Sequence, residues 1–187
     1  SIDKAKSLVY ISHKNDDESN GYVNDICLAL KKANIKYVID LEHAKYRNNL
    51  IDFEEKIGDG LFVLPVVSKS YLKSKECMYE LAKTSENGHL PQRLFPFITF
   101  DIDRSAKGLQ VQLKYWTKKL YELTAKAESF PPGSGNICNI DIVRINTILQ
   151  QLPTIWMYFK EYLTSSKNEL LANNCEVLIE AIRNQID

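Results

Sequence analysis

Short apolar segments alternate with polar loops and helical patterns in the first half of the chain. Nearly continuous apolar runs are typical of strands that are buried on both faces. Apolar residues spaced three and four apart are typical of one face of a helix. The pattern predicts strands at residues 8–12, 35–39, 61–67 and 94–100, and helices from Tyr22, from Ile51 and over 74–87.

This alternation predicts the topology of the sheet. Strands that alternate with helices across short loops form right-handed βαβ units, and therefore a parallel sheet. We predict a flavodoxin-like α/β fold in which the first strand lies between the second and the third. Ligands of such sheets bind outside the carboxyl ends of the strands. We therefore expect function in the loops that leave those ends, residues 13–20, 40–49 and 68–73.

The second half of the chain has a helical pattern throughout. A stripe of apolar residues predicts a helix over 109–127, and similar periodicity predicts helices over 141–163 and 167–186. Pro153 lies inside the second of these three helices and is expected to kink or split it. Residues 131–135 are rich in proline and glycine and are interpreted as a linker. We therefore divide the chain into a domain at 1–130 and a C-terminal helical extension, packed on it, at 137–187.

The composition is that of a globular protein without net charge. Of the 187 residues 44% are hydrophobic, and 24 lysines and arginines balance 24 aspartates and glutamates. A dedicated nucleic-acid-binding protein usually has a basic excess, so no nucleic-acid partner is expected. No apolar run reaches the roughly 18 residues of a membrane helix. The cysteines and histidines show no metal-ligand spacing, and we expect a cytoplasmic protein with free thiols and no metal.

The segment with the most chemical content is residues 66–81. Ser74 is placed to cap the helix that follows the third strand, so that the free N–H groups of this helix face the strand ends. Cys77 and Glu80 are three residues apart and share one face of the same helix. A glutamate on a helix is usually a solvated surface residue, whereas one that projects into a cleft can stabilise positive charge. The residues alone leave both interpretations open.

Several segments together resemble the TIR (Toll/interleukin-1 receptor) domain family. The opening strand and its box are matched by Tyr10-Ile11-Ser12-His13, and the acidic end of the second strand by Asp40-Leu41-Glu42. The resemblance covers residues 7–101 and implies the TIR fold, with helical additions after it. The third box of the family, S-x-x-Y-x-x-S-x-x-C-x-x-E-L, is matched by Ser68, Tyr71, Ser74, Cys77, Glu80 and Leu81.

In enzymatically active members of this family, the glutamate of the third box cleaves NAD+ at the nicotinamide–ribose bond. The resemblance therefore implies an NAD+ nucleosidase in which Glu80 is catalytic, NAD+ is the substrate and no cofactor is needed. Many active members have a tryptophan four residues earlier, where this chain has Glu76. Tyr46 or Tyr79 would then have to supply the aromatic face for the substrate. The residues implied to bind the substrate are His13, Lys14, Glu42, Tyr46, Ser70 and Cys77.

The resemblance also implies partners and a setting. We expect TIR–TIR self-association through the loop at residues 40–50, which switches activity on in immune or antiphage signalling of the prokaryotic type. One alternative is a non-enzymatic TIR adaptor that acts only by self-association. Another is a flavodoxin-like response module, although the Lys-Pro signal of such a module does not follow a later strand. Because the chain begins with Ser1 rather than methionine, we expect it to be cut from a longer protein with further domains.

Overall fold

The computed structural model describes residues 8–39 and 62–186. Its strands are β1 (Val9–His13), β2 (Tyr37–Ile39), β3 (Phe62–Val67) and β4 (Phe97–Ile98). They form one parallel sheet of 4 strands in the order β2-β1-β3-β4. Val9 of β1 lies opposite Tyr37 on one side and opposite Phe62 on the other. The predicted parallel sheet, with its first strand between the second and the third, is confirmed.

The helices of the described residues lie on both sides of this sheet. A 3-10 turn at Tyr71–Lys73 precedes α2, and another at Gly135–Cys138 precedes α5. The helices are α1 (Asp17–Lys32), α2 (Lys75–Asn87), α3 (Leu90–Arg93), α4 (Ala106–Glu128), α5 (Asn139–Tyr162) and α6 (Lys167–Ile186).

Alternate residues of the strands belong to two different hydrophobic clusters, because successive side chains of a strand point to opposite faces of the sheet. Val9 and Ile11 of β1 belong to the cluster that includes buried residues of α1 and α6. Tyr10, between them, belongs to the cluster that includes buried residues of α2, α4 and α5. Residues 139–186 therefore contribute to the core on both faces of the sheet. The division of the chain at residues 130–137 stays a prediction.

Helix α1 begins earlier than the apolar pattern predicts. The Asp16 side chain caps it by accepting a hydrogen bond from the Ser19 backbone N–H at 2.8 Å. The first turn also carries Asp17 and Glu18, whose negative charge suits the positive end of the helix dipole. The predicted loop at 13–20 is therefore wrong over its second half, because the first turn of α1 is largely polar and lacks an apolar stripe.

The fourth predicted strand is mostly wrong. Only Phe97 and Ile98 of the predicted 94–100 pair with β3, and one isolated bridge joins Leu94 to Val63. The short helix α3 lies immediately before Leu94, whose carbonyl accepts a hydrogen bond from the Tyr158 hydroxyl at 2.7 Å. Pro96 has no N–H to donate to a ladder. The apolar run is thus buried as predicted, but most of it is irregular backbone.

Two expectations about the C-terminal helices also change. Pro153 lies inside the single helix α5 and does not split it. Helix α6, predicted as continuous, has a break over residues 172–175, where Asn173, Asn174 and Cys175 have left-handed backbone with φ of 51°, 57° and 60°. Asparagine tolerates this conformation better than most residues and favours helices weakly, which explains why the break falls there.

Part of the prediction falls outside the described residues. The short helix expected from Ile51 and the loop at residues 40–50 lie there. Across residues 8–39 and 62–186, every helix is too short or too polar to cross a membrane.

Candidate functional site

Helix α2 carries Glu80 beneath the sheet. Its N-terminus is capped as predicted, because the Ser74 side chain accepts a hydrogen bond from the Cys77 backbone N–H at 3.4 Å. Gly88, with a φ of 80°, ends the helix. This fixed start and end place the face that carries Cys77 and Glu80 against β1. Both side chains are buried. Glu80 was expected to project into an open cleft, but its side chain lies inside the protein.

The Glu80 carboxylate is held by two hydroxyl groups of β1. The Tyr10 hydroxyl donates to Glu80 Oε1 at 3.0 Å, and the Ser12 hydroxyl donates to Glu80 Oε2 at 2.7 Å. Tyr10 and Ser12 are two residues apart, so both point to the face of β1 that α2 covers. A carboxyl group that accepts at both oxygens has the hydrogen-bonding pattern of an ionised carboxylate. With 7% of Glu80 exposed, these bonds offset the cost of burying it.

A third hydroxyl extends this arrangement towards the loop after β3. Ser12 Oγ and Tyr71 Oη lie 2.9 Å apart. Because Ser12 has one hydroxyl proton and gives it to Glu80, Tyr71 is the donor of this second bond. Tyr71, Ser12 and Glu80 therefore form a directed series of hydrogen bonds, which we call the hydroxyl relay. It connects α2, the middle of the sheet and the turn at Tyr71–Lys73.

A second polar group lies at the carboxyl ends of β1 and β3. Ser70 donates to Asp16 Oδ2 at 2.6 Å, and the hydroxyls of Ser68 and Ser70 lie 2.9 Å apart. The Tyr71 backbone N–H donates to Ser68 Oγ at 3.1 Å, so this group adjoins the hydroxyl relay. Burial raises the pKa of Asp16, but hydrogen bonds from Ser70 and Ser19 outweigh it and hold this pKa below its ordinary value.

His13 and Lys14 close the same edge of the sheet. His13 is the last residue of β1, is buried, and pairs with Val66 of β3. Its Nδ1 lies 3.1 Å from the Lys14 carbonyl oxygen. Lys14 is half-buried. Of the predicted site residues that the structure describes, His13, Lys14 and Ser70 therefore lie together at the carboxyl edge of the sheet. Glu80 lies below them.

The other predicted site residues are placed differently. Cys77 is 1% exposed and lies in the hydrophobic cluster between α2 and α5, so its predicted contact with substrate stays a prediction. Glu42 and Tyr46 lie outside the described residues. Among those described, no cluster of three or more histidine, cysteine, aspartate or glutamate side chains is arranged to hold a metal.

The position where active TIR domains often carry tryptophan is on the surface. Glu76 is exposed, and one of its carboxylate oxygens lies 3.8 Å from Lys75 Nζ. Tyr79, one of the two candidates for a replacement aromatic face, is buried, and the guanidinium of Arg144 from α5 lies 5.4 Å from its ring centroid. Tyr79 therefore packs towards α5 instead of towards the edge of the sheet.

Sequence reasoning missed the hydroxyl groups that hold Glu80. The apolar pattern at residues 8–12 predicts only a buried strand, although the hydroxyls of Tyr10 and Ser12, at alternate positions of that strand, require hydrogen-bond partners. The loop predicted at residues 13–20 includes Asp16, although an aspartate just before a helix is a favoured cap. These two signals were present in the sequence and would have identified both polar groups.

Comparisons with known proteins agree with this architecture. A family model described as TIR domain matches residues 9–126. Disease resistance protein LAZ5 of Arabidopsis thaliana is 32% identical over 78 residues, which cover 42% of this chain and 7% of that protein. The solved TIR domains of the activated Roq1 resistosome, which directly recognises the pathogen effector XopQ, match with a TM-score of 0.56 at 18% identity. That match covers 96% of this chain and 99% of the other, and it concerns the fold alone.

The family match spans more than half of the chain and includes both polar groups at the strand ends. The sheet order, the capped helix after β3 and the buried glutamate on that helix lie within the matched residues. The chain therefore belongs to the TIR domain family.

Proposed function

We propose that this chain is an NAD+ nucleosidase, in which Glu80 acts on the bond between nicotinamide and ribose. The observation that carries the proposal is the position of Glu80. Its carboxylate is fixed by Tyr10 and Ser12, one strand residue away from His13 at the carboxyl edge of the sheet. Parallel sheets bind their ligands at this edge. A carboxylate fixed there in advance can stabilise charge without reorganising during the reaction.

The chemistry suits a single carboxylate. Nicotinamide leaves NAD+ as a neutral molecule from a cationic pyridinium, so the leaving group needs no proton. The ribose carbon develops oxocarbenium character, which a nearby negative charge stabilises. Attack by water then gives ADP-ribose, and attack by the adenine gives a cyclic product. The route that we propose for the substrate to Glu80 is the edge that carries His13 and Ser70, next to the β1 residues that hold the carboxylate.

We assign the remaining roles by position. His13, Lys14 and Ser70 lie at the edge of the sheet and are proposed to contact the ribose and the pyrophosphate. Glu42 and Tyr46 are proposed to complete the site from the segment after β2. Glu76 cannot stack on a substrate as a tryptophan would, and the Tyr79 ring faces Arg144. Tyr46 is therefore the aromatic residue proposed to pack against NAD+.

The setting that we propose is immune signalling switched by assembly. The curated relative is a disease resistance protein, and the solved relatives are TIR domains of a resistosome. We propose that TIR–TIR contacts, including residues 40–50, raise the activity, and that a longer protein supplies the trigger. A formal net charge of zero opposes self-association only weakly. The four cysteines are free, which suits the reducing cytoplasm.

A non-enzymatic adaptor is the second candidate, and one observation favours it. Both oxygens of Glu80 already accept hydrogen bonds, and the side chain is almost fully buried. A carboxylate with these bonds can hold α2 against β1 without contacting any substrate. In that case TIR–TIR contacts would be the whole function of the chain.

The deciding experiment measures nicotinamide release from NAD+ by the wild type, Glu80→Gln and Glu76→Gln, at dilute and crowded concentrations. Glu80→Gln keeps the shape and removes the charge, and the expected loss in rate is about two to three orders of magnitude. Glu76→Gln changes an exposed residue of the same helix and is the matched control. Melting curves show that each variant is folded at the assay temperature. Equal turnover by the wild type and Glu80→Gln removes Glu80 from catalysis, and no turnover by any of the three supports the adaptor.

A further inference from the structure

The two hydroxyl groups that hold Glu80 lie at different distances along β1 from the carboxyl edge of the sheet. Ser12 directly precedes His13, the last residue of β1, and its partner Tyr71 follows β3, so the hydroxyl relay meets Glu80 Oε2 near that edge. Tyr10 lies two residues further back along the strand and donates to the other oxygen, Oε1. Tyr10 therefore holds the carboxylate separately from the relay.

Tyr10 is itself held firmly. Its backbone pairs with Val38 of β2 on one side and with Val63 of β3 on the other. Its side chain is 7% exposed and belongs to the hydrophobic cluster that also contains Leu81 of α2. Side chains in a close-packed interior have little freedom to move. The Tyr10 hydroxyl is therefore a donor with a fixed position.

Two donors on different oxygens fix the plane of the Glu80 carboxylate. Rotation about the terminal Cγ–Cδ bond of a glutamate has broad minima, so a single donor leaves the group free to turn. Turning moves both oxygens relative to the ribose carbon that they are proposed to stabilise. A misplacement of about 1 Å at a reacting centre can cost roughly a hundredfold in rate. The bond from Tyr10 to Oε1 at 3.0 Å prevents this rotation.

We propose that Tyr10 is a positioning residue for the reaction of Glu80, because its hydroxyl fixes the plane of the carboxylate before charge develops on the ribose. This inference rests on the proposed NAD+ chemistry and adds a residue to it. Tyr10 acts through Glu80 and does not contact the substrate. It therefore affects the rate of bond cleavage and leaves substrate binding unchanged.

The test is the steady-state kinetics of nicotinamide release by Tyr10→Phe, at a protein concentration at which the wild type is active. Phenylalanine keeps the packed ring and removes only the hydroxyl. Loss of a hydrogen bond to a charged group corresponds to about tenfold to hundredfold in rate. We expect kcat to fall by about that factor, whereas KM should change by less than about twofold.

Tyr158→Phe is the matched control. Tyr158 is buried in the same hydrophobic cluster, and its hydroxyl donates to the Leu94 carbonyl oxygen at 2.7 Å. The control therefore also loses a buried tyrosine hydroxyl and its hydrogen bond, but it leaves both donors to Glu80 in place. Its kcat should match that of the wild type. All assays are run below the lowest melting temperature of the variants, so that every protein is folded.

A second comparison determines whether Tyr10 acts through Glu80. In a Glu80→Gln background, Tyr10→Phe should change the residual rate by less than about twofold, because the charge that Tyr10 positions is already absent. If Tyr10 only supported the fold, its substitution would lower the rate by the same factor in both backgrounds.

Each outcome decides the inference. A fall in kcat that is absent in the Glu80→Gln background and in Tyr158→Phe supports the positioning role. A kcat of Tyr10→Phe equal to that of Tyr158→Phe overturns it, and so does an equal loss in both Glu80 backgrounds or a loss confined to KM. If Glu80→Gln loses its rate and Tyr10→Phe does not, the positioning role alone fails. No release by the wild type overturns both this role and the proposed function.

Discussion

Replacing Ser12 by alanine removes the central group of the hydroxyl relay. The Ser12 hydroxyl donates to Glu80 and accepts from Tyr71, so the substitution deletes two buried hydrogen bonds and only one oxygen atom. The backbone of β1 and its pairing with β3 do not depend on this side chain. The substitution therefore isolates the contribution of the relay to stability.

The expected magnitude follows from the two bonds. A hydrogen bond to a charged group contributes about 1.5–3 kcal/mol, and one between neutral groups contributes about 0.5–1.5 kcal/mol. The free energy of unfolding should therefore fall by about 2–4 kcal/mol. In a chain of this size, 1 kcal/mol corresponds to roughly 2–4 °C in melting temperature. A loss of about 3 kcal/mol thus lowers the melting temperature by roughly 6–12 °C.

Urea unfolding and thermal melting measure this loss. Ser134→Ala, an exposed serine in the segment before α5, is the matched control and should change stability by no more than about 0.5 kcal/mol. Ser12→Ala should also cost less in a Tyr71→Phe background, because one of its two bonds is already absent there. If Ser12→Ala changes stability no more than Ser134→Ala does, Glu80 is not held as described.

Three further results are expected. Burial raises the pKa of Tyr158, so the free energy of unfolding should fall as pH rises above about 10, and Tyr158→Phe should reduce that fall in alkaline unfolding curves. Hydrogen bonds from Ser70 and Ser19 lower the pKa of Asp16, so this carboxylate stabilises the fold above about pH 4 and loses that effect in acid. Asp16→Asn should flatten the acid limb of the stability curve, and an unchanged limb would contradict the assignment. Nicotinamide release should rise more steeply than in proportion to protein concentration, whereas a strictly linear dependence would exclude activation by self-association.

The layers of the fold were readable from the sequence because burial imposes a pattern on it. The runs 8–12 and 61–67 are apolar at nearly every position, as strands covered on both faces must be. The run 94–100 looks equally apolar, yet burial alone does not distinguish a strand from irregular backbone packed under a helix. The Tyr158 hydroxyl, which donates a hydrogen bond to the Leu94 carbonyl oxygen, comes from a distant part of the chain. A local pattern carries no information about such a partner.

The candidate site was only partly readable for a related reason. The motif around Glu80 predicted the helix and its cap at Ser74, but it placed the carboxylate in an open cleft, whereas the side chain is buried. The partners of that carboxylate, Tyr10 and Ser12, come from a strand 70 and 68 positions away in the chain. Motif spacing identified the residue, but only the packing of α2 on β1 identified what holds it.

The late position of α5 and α6 in the chain has a consequence for synthesis. During translation, β1, α1 and α2 leave the ribosome before the helices that cover their apolar faces have been synthesised. Phe159 of α5 and Ile182 of α6 are fully buried against those earlier elements, one on each side of the sheet. The nascent chain therefore exposes two apolar surfaces until residues 139–186 have been synthesised, and such intermediates are prone to aggregate. Chaperone binding during translation should matter more for this chain than for an α/β domain that completes its layers in order.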